Sequence, residues 1–195
     1  MDDQLFLNSN VLRELQQRIA DFEDEASYKK LFFYFFLPLK SFSFSIIRSK
    51  QIAEEVVSDV LIEIWARRKR LAEIDDLKMY LYVSVKNASL RKLKQSKNAR
   101  LLSLDEVEVE FTSSFENAET ILLTQELADK IDAAIQQLPR RCKLIYKLAK
   151  EDKLKYKEIS LLLNISIKTI DHQVSIAIKK IAEVLHISLK KPSAH

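Results

Sequence analysis

The chain of 195 residues contains no glycine, three prolines and one cysteine. Hairpin turns and phosphate-binding loops depend on glycine, because glycine accepts backbone angles that other residues avoid. The lack of glycine therefore argues against Rossmann and P-loop nucleotide sites and favours an all-α fold of helices joined by polar turns. A single cysteine rules out an internal disulfide, and one cysteine with three histidines supplies no cluster of metal ligands. We therefore expect neither a metal nor another cofactor.

A long apolar run is also lacking. The most apolar segment, residues 31–47, contains Pro38, Lys40 and three serines, and it is too short to span a bilayer comfortably. The first residues are acidic and show no signal-peptide pattern. We interpret the segment as a core helix and expect the protein to be cytoplasmic.

No arrangement of side chains in the sequence indicates catalysis. We find no nucleophile paired with a base, and the carboxylates fit an ordinary charged surface. We therefore expect a binding protein without a small-molecule substrate, and not an enzyme.

The formal net charge of +4 is distributed unevenly along the chain. Residues 25–97 hold 15 basic and 8 acidic residues, and residues 126–195 hold 14 and 8. Residues 1–24 hold 2 basic and 6 acidic residues, and residues 98–125 hold 1 and 6. On an ordinary solvated surface, positive and negative charges are mixed more evenly. Two basic segments separated by an acidic one therefore indicate two contacts with a polyanion.

Apolar residues recur at helical spacing on both sides of the stretch 98–118, which is rich in acidic residues, Ser and Thr. We predict that this stretch is a linker between two small helical domains, 1–97 and 119–195. Pro38 is expected to bend or end the second helix. The predicted helices span residues 8–24, 28–36, 51–69, 77–94, 120–138, 140–150, 155–163 and 167–185.

The last two predicted helices form the strongest local pattern, a helix-turn-helix. Asn164 suits the turn because, after glycine, it best tolerates the left-handed conformation. Ser166 is a good N-cap for the following helix, and Ile165 is expected to pack beneath both helices. The residues expected on the inner face of the last helix are Ile170, Val174, Ala177, Ile178 and Ile181.

The opposite face of this helix is polar near its N-terminal half, where a recognition helix reaches base edges in the major groove. Short polar side chains can read bases, and lysines can meet phosphates. With the basic surroundings, this pattern favours DNA binding over an ordinary helical hairpin. The outward residues are Lys168, Thr169, Asp171, His172 and Ser175 for the bases, with Lys168, Lys179 and Lys180 for phosphates.

Residues 138–142, 156–159 and 165–170 together resemble the fourth domain of extracytoplasmic-function sigma factors of bacterial RNA polymerase, in a form similar to that of the Bacteroidetes lineage. The resemblance implies a four-helix domain whose last helix pair reads the promoter −35 element. It also implies three partners, which are promoter DNA, an anti-sigma factor, and core RNA polymerase through its β′ clamp helices and β flap.

The first half of the chain resembles the second domain of the same family. Residues 53–65 resemble the helix that docks on the β′ clamp, and its acidic face would supply Glu55, Asp59 and Glu63. Residues 80–87 resemble the helix that meets the −10 element. By resemblance the loop 67–76 captures a base flipped from the melted strand, with Arg67, Arg68, Lys69 and Arg70 as the source of charge. The implied −10 contacts are Asn87, Lys86, Arg91 and Lys94.

Four positions depart from the family pattern. Ser58 stands where Gln is usual and Arg91 where Asp or Asn is usual, while Asn164 replaces a turn glycine and Ser160 an alanine. These departures bear on promoter preference and not on the fold.

Two other interpretations fit parts of the sequence. A helix-turn-helix transcription regulator would bind duplex DNA as a dimer without core polymerase, but it would lack the patterns at 53–65 and 80–87. A helical adaptor without a DNA role would bind its partner with little dependence on salt, because steep salt dependence comes from phosphate contacts.

Overall fold

A computed structural model of the chain describes residues 9–95 and 123–184, which fall into two compact units within residues 1–101 and 102–195. Every regular element in these two described ranges is helical, which confirms the predicted all-α fold. The predicted linker at 98–118 lies outside the described residues.

Within residues 9–95, the first unit forms four α-helices and a short 3-10 helix. Asp24 caps the second α-helix, because its Oδ1 accepts from the backbone N–H groups of Ala26 (3.0 Å) and Ser27 (3.2 Å). Hydrogen bonds from Ser27 hold the pKa of Asp24 below its usual value. The elements are α1 (Ser9–Phe22), α2 (Glu25–Ile47), α3 (Lys50–Ala66), the 3-10 helix (Arg68–Glu73) and α4 (Leu77–Gln95).

Helix α2 continues through Pro38, so the prediction of a helix limited to residues 28–36 that ends at this proline was wrong. A proline inside a helix removes one backbone hydrogen bond, but burial on both sides of it outweighs that loss. Leu31, Phe35, Leu39 and Phe42 are each at most 1% exposed. The helix is long and apolar enough to cross a membrane by composition alone, yet these side chains form the core of the unit, as predicted for residues 31–47.

Helix α3 ends at Ala66, three residues earlier than predicted, and the chain tightens into the 3-10 helix. This change of winding lets Leu71 enter the core at 2% exposure. The side chain of Gln16 in α1 then holds the turn, because its Nε2 donates to the carbonyl groups of Leu71 (3.0 Å) and Ile74 (2.8 Å). The turn 67–76 is therefore a fixed structure and not an open loop.

In the second unit, residues 123–184 form four α-helices that pack around a hydrophobic core. The predicted helix 140–150 is α-helical only to Tyr146 and then widens into a π-helical turn, where the N–H of Asp152 donates to the carbonyl of Lys147 (3.0 Å). The elements are α5 (Leu123–Gln136), α6 (Arg140–Tyr146), the π-helical turn (Lys147–Glu151), α7 (Tyr156–Leu163) and α8 (Ile167–Val184). The core includes Ala134, Ile135, Leu138, Cys142, Ala177 and Ile181.

The turn between α7 and α8 has the predicted geometry. Asn164 takes the left-handed conformation (φ 53°, ψ 49°), and Ser166 caps α8 by accepting from the N–H of Thr169 (3.0 Å). Ser160 adds a bond that an alanine could not make, because its hydroxyl donates to the carbonyl of Ile165 (2.6 Å). Ile165 itself is half-buried.

One of the residues predicted to lie on the inner face of α8 does not lie there. Ile170, Val174, Ala177 and Ile181 are buried, but Ile178 is 49% exposed. Ile178 follows the buried Ala177 by one residue, and this rotation of about 100° takes its side chain to the flank of the buried stripe.

Four non-glycine residues in the described ranges take left-handed backbone angles, and each follows the end of a helical segment. They are Glu23, Arg48, Lys153 and Asn164, with φ between 52° and 61°. Glycine usually fills such positions because it carries no Cβ, and this chain has none. The helix ends therefore hold backbone strain.

The first prediction concerns Pro38. Replacing Pro38 with alanine restores an N–H that can donate to the carbonyl of Tyr34, and we expect the free energy of unfolding to rise by about 1–3 kcal/mol. Urea denaturation followed by the fluorescence of Trp65, the single tryptophan, measures this. The control Lys30→Ala on the exposed surface of the same helix should change stability by less than about 0.5 kcal/mol. A less stable Pro38→Ala variant would contradict the expectation.

The second prediction concerns Arg48, whose φ is 61°. Arg48→Gly should raise the free energy of unfolding by about 0.5–1 kcal/mol, because relief of the Cβ clash exceeds the added entropy of the unfolded chain. Arg48→Ala keeps the Cβ and should leave stability nearly unchanged. The same urea titration compares them, and equal effects of glycine and alanine would show that the backbone angle is not the cause.

Candidate nucleic-acid interface

The outer face of α8 presents most of the residues selected from the sequence. Lys168, His172, Ser175 and Lys179 are exposed and recur at intervals of three or four residues, so they share one side of the helix. The buried stripe of Ile170, Val174 and Ala177 holds the other side against the rest of the unit. Such a surface, with polar and basic groups on one side of the helix, suits the role of a recognition helix.

Three of the selected residues sit differently. Thr169 is half-buried, and its hydroxyl shares a hydrogen bond with that of Ser166 (2.8 Å) in the cap of the helix. Asp171 is exposed but lies on the flank of α8 and not on the face of His172. The same flank carries Ile167, four residues before Asp171, and Ile178, seven residues after it. Lys180 is half-buried and directs its Nζ toward the carbonyl of Gln137 (3.5 Å).

Part of the positive charge of the second unit lies inside it. Lys143 is 8% exposed and donates to the carbonyl and the side-chain oxygen of Gln136 (both 2.9 Å), which caps the end of α5. Lys147 is 7% exposed and pairs with Glu151 (2.8 Å). Burial raises the pKa of Glu151 despite this neighbour. These two lysines stabilise the fold and do not present charge to DNA.

Two exposed lysines that the sequence did not single out lie at the start of the helix-turn-helix. Lys155 precedes α7 and Lys157 lies in its first turn, and both are exposed. Glu158 holds this end of the helix by accepting from the backbone N–H of Lys155 (2.8 Å). The first helix of such a motif crosses the DNA backbone, so lysines here are suited to phosphates. Their exposure could be inferred from the buried Ile159 and Leu162, which define the opposite face.

In the first unit, α4 presents a second candidate surface. Asn87, Arg91 and Lys94 are exposed at i, i+4 and i+7 and therefore lie on one face. Lys86 is half-buried and points about 100° away, so it does not share that face. The exposed face also contains apolar groups that the sequence did not identify as surface residues, namely Tyr80, Val83 and Leu90.

A cavity of about 320 Å³ opens beside this face, between the end of α3, the 3-10 helix and the start of α4. Its size falls in the range of sites for small organic groups. Tyr80 and Ser84 connect the cavity to the exposed face of α4. The apolar lining is formed by Val60, Ile64, Leu71 and Ile74.

The positive charges predicted for this turn are largely paired. Arg67 binds Glu63 (2.7 Å) and Arg70 binds Glu73 (3.3 Å), and all four side chains line the cavity. Arg68 is not among the lining residues. Its guanidinium binds Glu23 (2.8 Å), and the resulting hydrogen bond lowers the pKa of Glu23. Arg68 therefore fixes the turn, while Lys69 is exposed.

The outer face of α3 is acidic with an apolar centre. Glu55 and Asp59 are exposed one turn apart, and Ile62, which the sequence did not identify as a surface residue, continues the same row at 60% exposure. Glu63 is exposed beside this row and is held by Arg67. Acidic groups around an exposed aliphatic side chain suit a partner surface with basic and apolar residues.

An ion pair connects this face to α4. Lys92 binds Glu55 across the helix interface (2.5 Å), and the hydrogen bond and charge of Glu55, with a further contribution from Asp59, raise the pKa of Lys92. The pair lies at the surface, so its own contribution to stability is small. It nevertheless leaves Glu55 less available to a partner than Asp59.

Comparison with known proteins identifies the helix-turn-helix unit. Residues 128–181 match the family model described as sigma-70, region 4. No curated protein matches this sequence significantly.

Among solved structures, the chain is similar to CnrH in complex with the cytosolic domain of CnrY, with a TM-score of 0.49 and 14% identity over 93% of this chain and 99% of that one. It is also similar to the sigma factor RpoE in complex with the anti-sigma factor NepR from Bartonella quintana, with a TM-score of 0.48 and 18% identity over 83% and 98%.

The family match covers α6, α7 and most of α8, the elements that build the turn at Asn164 and the outward face of Lys168, His172 and Ser175. Sequence similarity and geometry therefore coincide on the same residues, and the helix-turn-helix unit is similar to region 4 of the sigma-70 family.

Proposed function

We propose that the protein is an extracytoplasmic-function sigma factor that directs core RNA polymerase to specific promoters. The observation that carries the proposal is the sigma-70 region 4 match over residues that form a complete helix-turn-helix with a polar, basic outer face. Its contribution is recognition and strand separation in the cytoplasm, and the polymerase performs the chemistry.

The two compact units serve as the two promoter-binding domains. Residues 119–195 form sigma domain 4, which reads the −35 element through Lys168, His172 and Ser175, while Lys155, Lys157 and Lys179 meet phosphates. Residues 1–97 form sigma domain 2, and residues 98–118 link the two. An anti-sigma factor is the expected regulatory partner, as the sequence resemblance implies.

Domain 2 would meet the −10 element along the exposed face of α4. Asn87 is suited to a base edge, and Arg91 and Lys94 are suited to phosphates. The adjoining cavity would receive a base extruded from the melted strand, with Tyr80 at its edge as a stacking surface. Arg67 and Arg70 would hold the rim through their ion pairs with Glu63 and Glu73.

Core polymerase would dock on the outer face of α3, where Glu55, Asp59 and Ile62 form one row.

The central test of the proposed function is transcription in a purified system. Core polymerase plus this protein should initiate at a specific promoter, whereas neither component alone should do so. Tight dimeric binding to a palindromic site without polymerase would instead favour a helix-turn-helix regulator.

The third prediction tests the polymerase surface. Asp59→Lys should weaken binding to core polymerase at least about tenfold, because it places a like charge against a basic partner. Ile62→Ser should have a similar effect through lost apolar burial, and Glu63→Lys a smaller one because Glu63 also engages Arg67. Core binding is measured by a fluorescence titration with labelled polymerase. The matched control is Glu14→Lys, which reverses an exposed charge on α1. Equal losses for Glu14→Lys and Asp59→Lys would point to bulk charge and not to this face.

The fourth prediction separates base reading from phosphate attraction. His172→Ala should change which −35 sequences are used, because one lost base contact costs about 1–3 kcal/mol at that position. Lys179→Ala should reduce transcription from all promoters alike and make promoter binding less dependent on salt. Asp171→Ala should change preference less than His172→Ala, because Asp171 lies on the flank of the helix. Transcription from a library of randomised −35 elements measures all three, and unchanged preference in the His172 variant would remove this face from base recognition.

A further inference from the structure

A row of partly exposed aromatic rings runs along α2 and α3 and belongs to none of the contacts proposed above. The ring centroids are separated by 4.8 Å from Trp65 to Tyr28, 6.3 Å from Tyr28 to Phe32 and 5.2 Å from Phe32 to Phe36. The hydroxyl of Tyr28 donates to the carbonyl of Leu61 (2.9 Å) and ties the row to α3. These four residues, Trp65, Tyr28, Phe32 and Phe36, are called the aromatic ladder.

A cation covers the ring at each end of the ladder. The guanidinium of Arg68 lies 4.9 Å from the centre of the Trp65 ring, and the Nζ of Lys40 lies 5.8 Å from that of Phe36. Each cation also binds a carboxylate, as described for Arg68 and as Lys40 does with Glu54 (2.5 Å). The rings are therefore held in position before any partner arrives.

Two apolar side chains project from α2 beside the ladder. Phe33 is 65% exposed and Leu37, one turn later, is 59% exposed. Phe33 stands edge-on to Phe32 with centroids 5.8 Å apart. We call this pair the apolar ridge. Soluble monomers rarely expose a continuous surface of this kind unless it binds a partner.

The charges along this part of α2 have one sign. From residue 26 to residue 47 the helix carries three lysines and no acidic residue. Lys29 and Lys30 are exposed one turn before Phe33, and Lys40 follows Leu37 by three residues. The ridge is therefore bordered by the exposed positive charges of Lys29 and Lys30 at its start, whereas the charge of Lys40 at its end is paired with Glu54.

We infer that the apolar ridge and the aromatic ladder form a docking site for an amphipathic helix of a partner protein, with apolar residues four apart and acidic residues at the end that meets Lys29 and Lys30. Such a helix places its apolar residues on Phe33 and Leu37 and its carboxylates near the lysines. Single-stranded nucleic acid fits less well, because bases stack on open ring faces and the end rings of the ladder are already covered by cations.

Trp65 lies within the ladder and is the single tryptophan of the chain, so its fluorescence reports directly on this site. The probe is a stapled helical peptide with two leucines four residues apart and glutamates at one end. A matched peptide carries lysines at that end. We expect the acidic peptide to shift Trp65 emission saturably and to bind at least about tenfold more tightly than the basic one. Amide NMR shifts should concentrate in α2.

Variants of the intact protein locate the contact. Phe33→Gln combined with Leu37→Gln should weaken binding of the acidic peptide at least about tenfold. Circular dichroism should show an unchanged fold, because both side chains are exposed. Lys29→Glu combined with Lys30→Glu should invert the preference between the two peptides. Leu90→Gln removes an exposed apolar group from α4 and should leave the affinity unchanged.

Three results would overturn the inference. One is equal affinity for the two peptides, and another is peptide binding that the Phe33 and Leu37 changes leave intact. The third is a larger Trp65 response to an oligothymidine strand or to phosphatidylglycerol vesicles, which would assign the surface to nucleic acid or to a membrane. The assay contains neither polymerase nor promoter, so its outcome is independent of the proposed sigma factor function.

Discussion

The burial of one apolar stripe on each helix is the constraint on which the candidate interfaces depend. In α8, Ile170, Val174 and Ala177 are at most 3% exposed, and the helical repeat then places Lys168 and His172 on the opposite side. In α4, the buried Leu81 and Val85 turn Asn87, Arg91 and Lys94 outward in the same way. No separate structural element supports either surface. Each is the side of a helix that packing leaves free, so a core substitution that rotated the helix would also redirect its contacts.

Electrostatic interactions within each unit decide how much of the formal charge reaches the surface. Lys143 and Lys147 are buried in hydrogen bonds and ion pairs of the second unit, and Arg68 is fixed between Glu23 and the ring of Trp65. The number of basic residues in a segment therefore sets only an upper limit on how strongly that segment attracts phosphate. Lysines that remain exposed, such as Lys157 and Lys179, lie at a helix end or on an outward face, where they can reach a partner.

The absence of glycine shapes the helix ends. Left-handed residues are needed where a helix stops and the chain reverses, and here Glu23, Arg48, Lys153 and Asn164 take that role. Each non-glycine residue in this conformation costs roughly 1–2 kcal/mol, which packing of the joined helices has to offset. Pro38 within α2 is a comparable case, since the buried residues on both sides hold the helix together across the missing hydrogen bond.

The sequence by itself determined the helical class, the turn at Asn164 with its cap at Ser166, and the outward side of α8. These features follow from local chemistry and from the helical repeat, which act over a few residues. Only the tertiary structure decided that α2 continues through Pro38, that Ile62 is exposed, and that Arg68 serves the fold. Each of these depends on residues distant in the chain, such as Glu23 against Arg68, and a local pattern carries no information about which distant groups will meet.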